Sequence, residues 1–437
     1  MLIILSLLVA ALSALTVSAR RPLLPSQDPF WQPPENLSDY KPGDVIRHRA
    51  VPSQLGIYAG KLNVASAHHI LYRTTGARDE PLATVTTVLV PKNADYRKLV
   101  SYQAEIDAPY GGCNPSITLQ KKYANVNNIA SQYNEFWMVS ALQRGWIVAW
   151  PDYQGPDSSF AVGILEGRMT LDGIRAALRS TKITGIKPDA RTVMWGYSGG
   201  TIATDFALEL QETYAPELKL AGAAMGGLPV SIKHLINNNN NKVGAGLILS
   251  GIFGVAHAYP DAREILMEQI KPESLKALRQ VEKQCVVPTV IQFLGKDVFT
   301  NFKNGSRILE IPRFKELLDS LSMGQIATPK TPMFIYQAIN DELLNSDDVQ
   351  TLVKQYCGKG ASIQYLKASY GGHIINALAG AATATQWLKD RLDGKPAQEK
   401  CSERTVVSPA LDKAAVKTFA KIVADIAIAR SGKTLGP

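Results

Sequence analysis

Charge is scarce in this chain of 437 residues. Charged side chains make up 19% of it, and no block of like charge appears. Hydrophobic residues make up 46%, so the chain can bury a large core and lacks the composition of a disordered polymer. Cysteine is scarce as well. The four residues Cys113, Cys285, Cys357 and Cys401 stand far apart, with no CxxC pair and no Cys/His cluster. That spacing argues against a zinc site, and neither a metal nor a cofactor is expected. The net charge is +9, yet its Lys and Arg residues are scattered. No basic stripe is interleaved with aromatics, so nucleic acid is not an expected partner.

Long apolar runs are also missing, except at the start. Residues 2–17 are apolar, Val17-Ser18-Ala19 has the small-x-small pattern of a cleavage site, and Arg20-Arg21 ends the run. The run is short for a membrane span, so no integral membrane segment is expected. Residues 1–19 read as a signal peptide, with a signal anchor as the alternative. A secreted, extracellular chain would meet an oxidising compartment, where four cysteines form two disulfides; three pairings are open. The sequons at Asn36 and Asn304 fit a secreted glycoprotein.

Pro22 to Gly43 reads as an extended arm without regular structure. Strand-like runs follow at Thr84–Val90, Lys98–Gln103, Trp146–Trp150, Thr192–Trp195 and Leu220–Ala224, with helical patterns between them. Short apolar strands alternating with helices predict an α/β fold, a mostly parallel sheet covered on both faces. The alternation stops after Gly227. From Leu228 to about Lys330 come helical stretches, the asparagine run Asn237–Asn241, expected as a solvated loop, and the glycine-containing apolar run Val243–His257. This segment reads as an inserted helical cap or lid. Strands resume at Pro332–Ala338 and Ser362–Ala368, followed by a helix from about Ile374. A last helix over Leu411–Ala429 carries the stripe Val416, Phe419, Ala420, Val423, Ile426, expected to dock on the core. The expected division is arm 20–45, core 46–227, cap 228–330, core again 331–401, and extension 402–437.

The strongest chemical signal is Gly196-Tyr197-Ser198-Gly199-Gly200. It lies between the strand Thr192–Trp195 and a helix from about Thr201, the strand–elbow–helix context of an α/β-hydrolase nucleophile. Such a turn presents the serine hydroxyl at the sheet's carboxyl edge, and the Gly199 N–H can face a developing oxyanion. The base must follow in sequence. His234 and His257 lie in the inserted segment; His373 lies after the last core strand in Tyr370-Gly371-Gly372-His373 and is the candidate. The orienting acid belongs after the strand ending at Ala338. Asp341 fits, Glu342 is the neighbouring alternative, and Asp347 and Asp348 suit the start of a helix. A second oxyanion donor belongs after Lys98–Gln103. Asp107 is the candidate, through its backbone N–H or a protonated side chain.

With these residues in view the chain resembles the fungal secretory lipases, the Candida secreted lipases and the Candida antarctica lipase A type. The resemblance covers most of the chain beyond residue 20. It rests on Asp28-Pro29-Phe30, Pro33-Pro34 and Pro42-Gly43, on Ser101-Tyr102-Gln103 to Asp107, and on Cys113 with Pro115-Ser116. Trp150 to Pro156, the serine pentapeptide, Tyr336 to Glu342 and Gly372-His373 complete it. It implies Ser198, Asp341 and His373 as a triad and Asp107 with Gly199 as the oxyanion hole. It also implies disulfides Cys113–Cys285 and Cys357–Cys401, and a cap holding an acyl-binding tunnel. Three places depart from the pattern: the acidic residue is displaced in Glu105-Ile106-Asp107, Asp152-Tyr153-Gln154 stands where the family has a His-Glu pair, and the tail beyond Cys401 ends in a basic, apolar helix that the family pattern does not match. The expected function is ester hydrolysis through an acyl-enzyme, on a small-molecule or lipid ester at a possible lipid–water interface. An esterase removing acetyl groups from a trichothecene-type metabolite is one alternative. A non-catalytic lipid-binding protein is the other.

Overall fold

The computed structural model describes residues 22–56, 62–123, 134–411 and 413–437, so the expected signal peptide lies outside the described residues. One sheet of ten described strands organises them: β1 Val45–Ala50, β2 Ser66–Thr75, β3 Pro81–Val90, β4 Asp95–Gln103, β5 Trp146–Pro151, β6 Arg191–Tyr197, β7 Leu220–Gly226, β8 Met333–Ala338, β9 Ile363–Ala368 and β10 Ser402–Val406. Their order is 1-2-3-5-4-6-7-8-9-10. Strands β1, β2, β3 and β5 pair antiparallel in turn, and every pairing from β5 to β10 is parallel.

Besides the short helices Pro115–Thr118 and Thr181–Thr184, the helices are α1 Glu135–Leu142, α2 Gly163–Arg179, α3 Gly200–Tyr214, α4 Ile232–Asn239, α5 Ala245–Ala258, α6 Pro260–Gln269, α7 Leu275–Val281, α8 Val286–Phe293, α9 Pro312–Ser320, α10 Ser346–Gly358, α11 His373–Leu392 and α12 Lys413–Arg430. Alternation along β6 explains the layers. Val193 and Trp195 pack on one face with Trp137 of α1, Leu388 of α11 and Ile422 of α12. Met194 packs on the other with Ile174 of α2 and Phe206 of α3. A strand covered on both faces needs this unbroken apolar run. Helices α4 to α9 all fall between β7 and β8, over the segment expected as a cap. The fold is that of an α/β-hydrolase.

Several details differ from the sequence reading. The sheet continues past Cys401: Ser402–Val406 pairs with β9, so these residues belong to the sheet and not to an extension. The strand is polar and at the sheet edge, which leaves it no apolar pattern to read. Asn237–Asn241 is not a solvated loop. Asn239 closes α4 fully buried, and its amide donates to the Leu235 and Leu343 carbonyls at 2.8 Å. Asn240 accepts from the Val298 N–H at 2.9 Å. The arm contains three 3₁₀ turns and buries Trp31 and Leu37. Helix α12 does dock, but by another face. Ala415, Thr418, Ile422, Asp425 and Ala429 are buried, while Val416, Phe419 and Val423 are exposed. Small inward residues let α12 lie close on α1 and α11, and Asp425 is held by Arg144 at 3.4 Å.

Two disulfides join the chain in the pairing the resemblance implies. Cys113–Cys285 ties the loop after β4 to the start of α8, and Cys357–Cys401 ties the end of α10 to the approach to β10. Among the described residues, no helix is long and apolar enough to cross a membrane.

Candidate active site

Four loops at the carboxyl edge of the parallel strands supply the site: those after β4, β6, β8 and β9. Ser198 sits between β6 and α3 with φ +51°, a left-handed conformation that costs a non-glycine residue about 1–2 kcal/mol. Its N–H donates to the Gly226 carbonyl at 2.9 Å, which fixes the turn against β7. The glycines around it are required by close approach. A Cβ at Gly196 would stand 2.6 Å from the Gly200 carbonyl oxygen, and one at Gly200 would stand 2.0 Å from that of Gln103. A Cβ at Gly199 would lie 1.8 Å from Asp107 Oδ1. The motif therefore packs backbone on backbone and brings Asp107 against the elbow.

The structure brings the sequence-predicted residues together. His373 Nε2 lies 2.8 Å from Ser198 Oγ, and His373 Nδ1 lies 2.8 Å from Asp341 Oδ2. Asp341 is fixed in turn: Oδ1 accepts from the Leu343 and Leu344 N–H groups, each at 3.0 Å, and Oδ2 accepts from Gln337 Nε2 at 3.0 Å. Glu342, the alternative acid, does not contact the imidazole; it accepts from the His373 backbone N–H at 2.7 Å. Both acidic residues of Asp341-Glu342 thus hold the histidine, one by its ring and one by its backbone. The other two later histidines are elsewhere. His234 Nδ1 faces Asp348 on the surface, and His257 lies between the Asp157 carbonyl and Glu282.

Asp107 is buried at φ +49°, and its Oδ1 has no hydrogen-bond partner. Burial pushes its carboxyl up to about 7, opposed by the nearby charge of His373. Glu105 is pushed up to about 8 by burial and by the Asp107 charge. Gly199 is the N-cap of α3, so its N–H is among the donors that a helix start leaves without a helical acceptor.

Ser198, Gly199 and Asp107 open onto a cavity whose empty space, open solvent included, is about 870 Å³. Apart from Ser198 and Asp107 its wall is apolar, and α4, α5 and α9 supply much of it. Its polar complement is thus confined to the reacting end, as a site for an apolar chain with one polar group requires.

Sequence reasoning missed three supports. Tyr197, the variable residue of the pentapeptide, donates its hydroxyl to the His373 carbonyl at 2.6 Å. Gln337 links Asp341 to the Leu228 N–H through its two amide atoms. Glu166 accepts from the Ala161 N–H at 2.9 Å and so holds a loop in which Ser158 and Ala161 both have positive φ. Tyr197 was within reach of a motif reading; the other two lie in ordinary strand and helix patterns.

An elbow serine on a parallel sheet, hydrogen-bonded to a histidine and through it to an aspartate, defines an α/β-hydrolase built for serine-dependent ester hydrolysis. Comparison with known proteins agrees with that class and narrows it. The chain belongs to the secretory lipase family, whose model matches residues 120–400. It is 36% identical to Lipase A of Arthroderma benhamiae over 95% of this chain and 90% of that protein. It is 35% identical to the secreted triacylglycerol lipase LIP4 of Malassezia globosa over 92% of this chain and 89% of that one. The crystal structure of Candida antarctica lipase A in its closed state superposes with a TM-score of 0.82 at 27% identity, covering 96% of this chain and 99% of that one. The chain is a serine carboxylic ester hydrolase of this family.

Proposed function

We propose that the chain is a secreted lipase that hydrolyses triacylglycerols, with Ser198 as nucleophile, His373 as general base and acid, and Asp341 as the orienting carboxylate. The carrying observation is the hydrogen-bonded series Ser198–His373–Asp341 opening onto a cavity that is apolar everywhere except its reacting end. His373 Nε2 takes the Ser198 proton as Oγ attacks the ester carbonyl. The oxyanion is held by the Gly199 N–H and by Asp107, through its N–H or its protonated carboxyl. His373 then protonates the leaving alcohol, and a water activated by the same nitrogen releases the acid. Asp341 holds the imidazole tautomer and offsets its charge.

The cavity receives the acyl chain, and the helices of residues 228–330 form a cap over the core at 46–227 and 331–401. Several of its relatives are named lipases, one a secreted triacylglycerol lipase, and this favours a lipid ester over a soluble acetate. Secretion follows from the apolar run of residues 2–17, and the exposed Asn36 and Asn304 are the glycan acceptors.

The test is Ser198→Ala with a panel of esters. Turnover of tributyrin and p-nitrophenyl esters falls by about four orders of magnitude or more, with the circular dichroism spectrum unchanged. Unchanged turnover rejects the nucleophile. A parent that prefers monomeric acetates over emulsified triacylglycerols rejects the substrate.

A further inference from the structure

The face that α12 leaves in solvent has an order of its own. Val416, Phe419 and Val423 are 51%, 39% and 51% exposed, and the spacing i, i+3, i+7 puts them on one stripe. Lys413 and Lys417, one turn apart, lie to one side of that stripe. The buried face of the same helix carries Ala415, Thr418, Ile422 and Ala429, with Asp425 paired to Arg144 and to Lys421. This arrangement is the reverse of an ordinary surface helix, which buries its large apolar residues and exposes polar ones. A stripe of Val and Phe with lysines to one side is the pattern of a helix lying in a lipid–water interface.

Further exposed apolar residues lie between the catalytic histidine and α12. Helix α11 begins at His373, and its first turn exposes Ile374 and Ile375. Tyr370, also exposed, donates its N–H to the Val407 carbonyl at 2.9 Å, and exposed Val407 and Leu411 lead into α12. Helices α11 and α12 pack on each other and on the turn Pro409–Leu411 between them. Exposed apolar residues thus stand at the start of α11 and along the turn that leads into α12.

We propose that this stripe, with Lys413 and Lys417 beside it, is the docking surface for an anionic lipid–water interface. The charge is matched to what ester hydrolysis makes. Each turnover leaves a fatty carboxylate in the lipid surface, and each lysine near such a surface strengthens binding. Product formed at the interface thus anchors the enzyme there. The proposal rests on the lipase reading above.

The test uses the full chain and phosphatidylcholine vesicles with and without about a third oleate, read by co-sedimentation, alongside turnover of soluble p-nitrophenyl butyrate. The parent binds the oleate vesicles more tightly than the neutral ones. Lys413→Gln with Lys417→Gln weakens oleate-vesicle binding about 30-fold and leaves neutral-vesicle binding unchanged. The combined variant V416S, F419S, V423S weakens binding to both vesicles about tenfold or more. Both keep the soluble-ester rate, which shows that they fold. Vesicle binding equal to the parent in the serine variant, or no preference of the parent for oleate, overturns the proposal. So does a parent that binds neither vesicle but dimerises through this face, with the serine variant monomeric. If the parent binds vesicles as stated yet cannot hydrolyse emulsified tributyrin, the substrate reading fails and the docking surface stands.

Discussion

Asp107 is the residue on which the most forces converge. It adopts a left-handed backbone conformation, lies buried with an unpaired Oδ1, and stands against Gly199 at the elbow. A carboxylate there would repel a developing oxyanion, whereas a carboxylic acid can donate to it. Its carboxyl, pushed up to about 7 by burial, is protonated in mildly acidic solution and loses its proton as pH rises through that value. The donor is then lost and a negative charge is gained beside the reacting oxygen. Asp107→Asn keeps a donor and removes the titration, so its kcat/KM holds on the alkaline side where the parent declines. Asp107→Ala loses about 10²–10³-fold in mildly acidic solution, the cost of one oxyanion donor, and the gap to the parent closes as pH rises and the parent loses that donor. A parent and an Asn variant with superimposable pH profiles would assign the donor to the Asp107 backbone N–H instead.

Among the elements, α5 shows how far a sequence can be read and where reading stops. Its apolar run Val243–His257 was legible as part of an inserted helical segment, and it forms Ala245–Ala258 with Leu249 and Phe253 buried. Which of its residues face the cavity was not legible, because that depends on the loop Phe160–Ala161 opposite. The elbow was legible because its constraints are local: a strand, two close backbone approaches and a helix start within ten residues. Asp341 and His373 were legible because chain order follows strand order at one sheet edge. Strand β10 and the buried face of α12 were not, since each depends on a partner remote in sequence. For α12 the apolar stripe itself misled: hydrophobicity alone points Phe419 inward, while close packing on α1 and α11 selects Ala415 and Ala429.

Gly251 of α5 turns this into a prediction. It lines the cavity, and a Cβ there would meet only the Ala161 Cβ, at 3.9 Å. Gly251→Ala therefore stabilises by up to about 1 kcal/mol, seen as a raised melting temperature, since an interior helix glycine gains on gaining a methyl. Gly251→Leu extends into the space for the acyl chain. If it displaces about three methylenes at about 0.8 kcal/mol each, the preference for long over butyryl p-nitrophenyl esters falls about 50-fold. Equal loss on short and long esters would mean the side chain disturbs the elbow and not the chain site.

At the scale of the whole molecule, the buried acids decide how stability depends on pH. Burial pushes Asp107 and Asp152 up to about 7 and Glu105 up to about 8, against ordinary values near 4. Asp205 and Glu166 are raised as well, both chiefly by burial. Each of these groups keeps its proton in the folded chain over a range where the unfolded chain releases it. The unfolded state is thus favoured progressively as pH rises from about 4 to about 8. Opposing this, buried His69 is lowered to about 3, so folding is penalised as pH falls below about 6.5. Paired carboxylates held below their usual range, among them Glu217 beside Arg175, contribute above about pH 4.5 and lose that contribution in acid. The raised carboxyls outnumber the buried histidine through the middle of the range, and above about pH 6.5 nothing in this set opposes them. The melting temperature is therefore higher near pH 5 than near pH 8, with the steepest decline between about 6.5 and 8. Asp152 accepts from the Ser116 N–H and hydroxyl and lies apart from the triad, so Asp152→Asn isolates one share of the effect. It lessens the decline toward pH 8 while leaving the acid limb in place. A melting temperature that is flat or rises from pH 5 to 8 would show that these carboxyls ionise in the folded chain, and with Asp107 among them the protonated oxyanion donor would fail too.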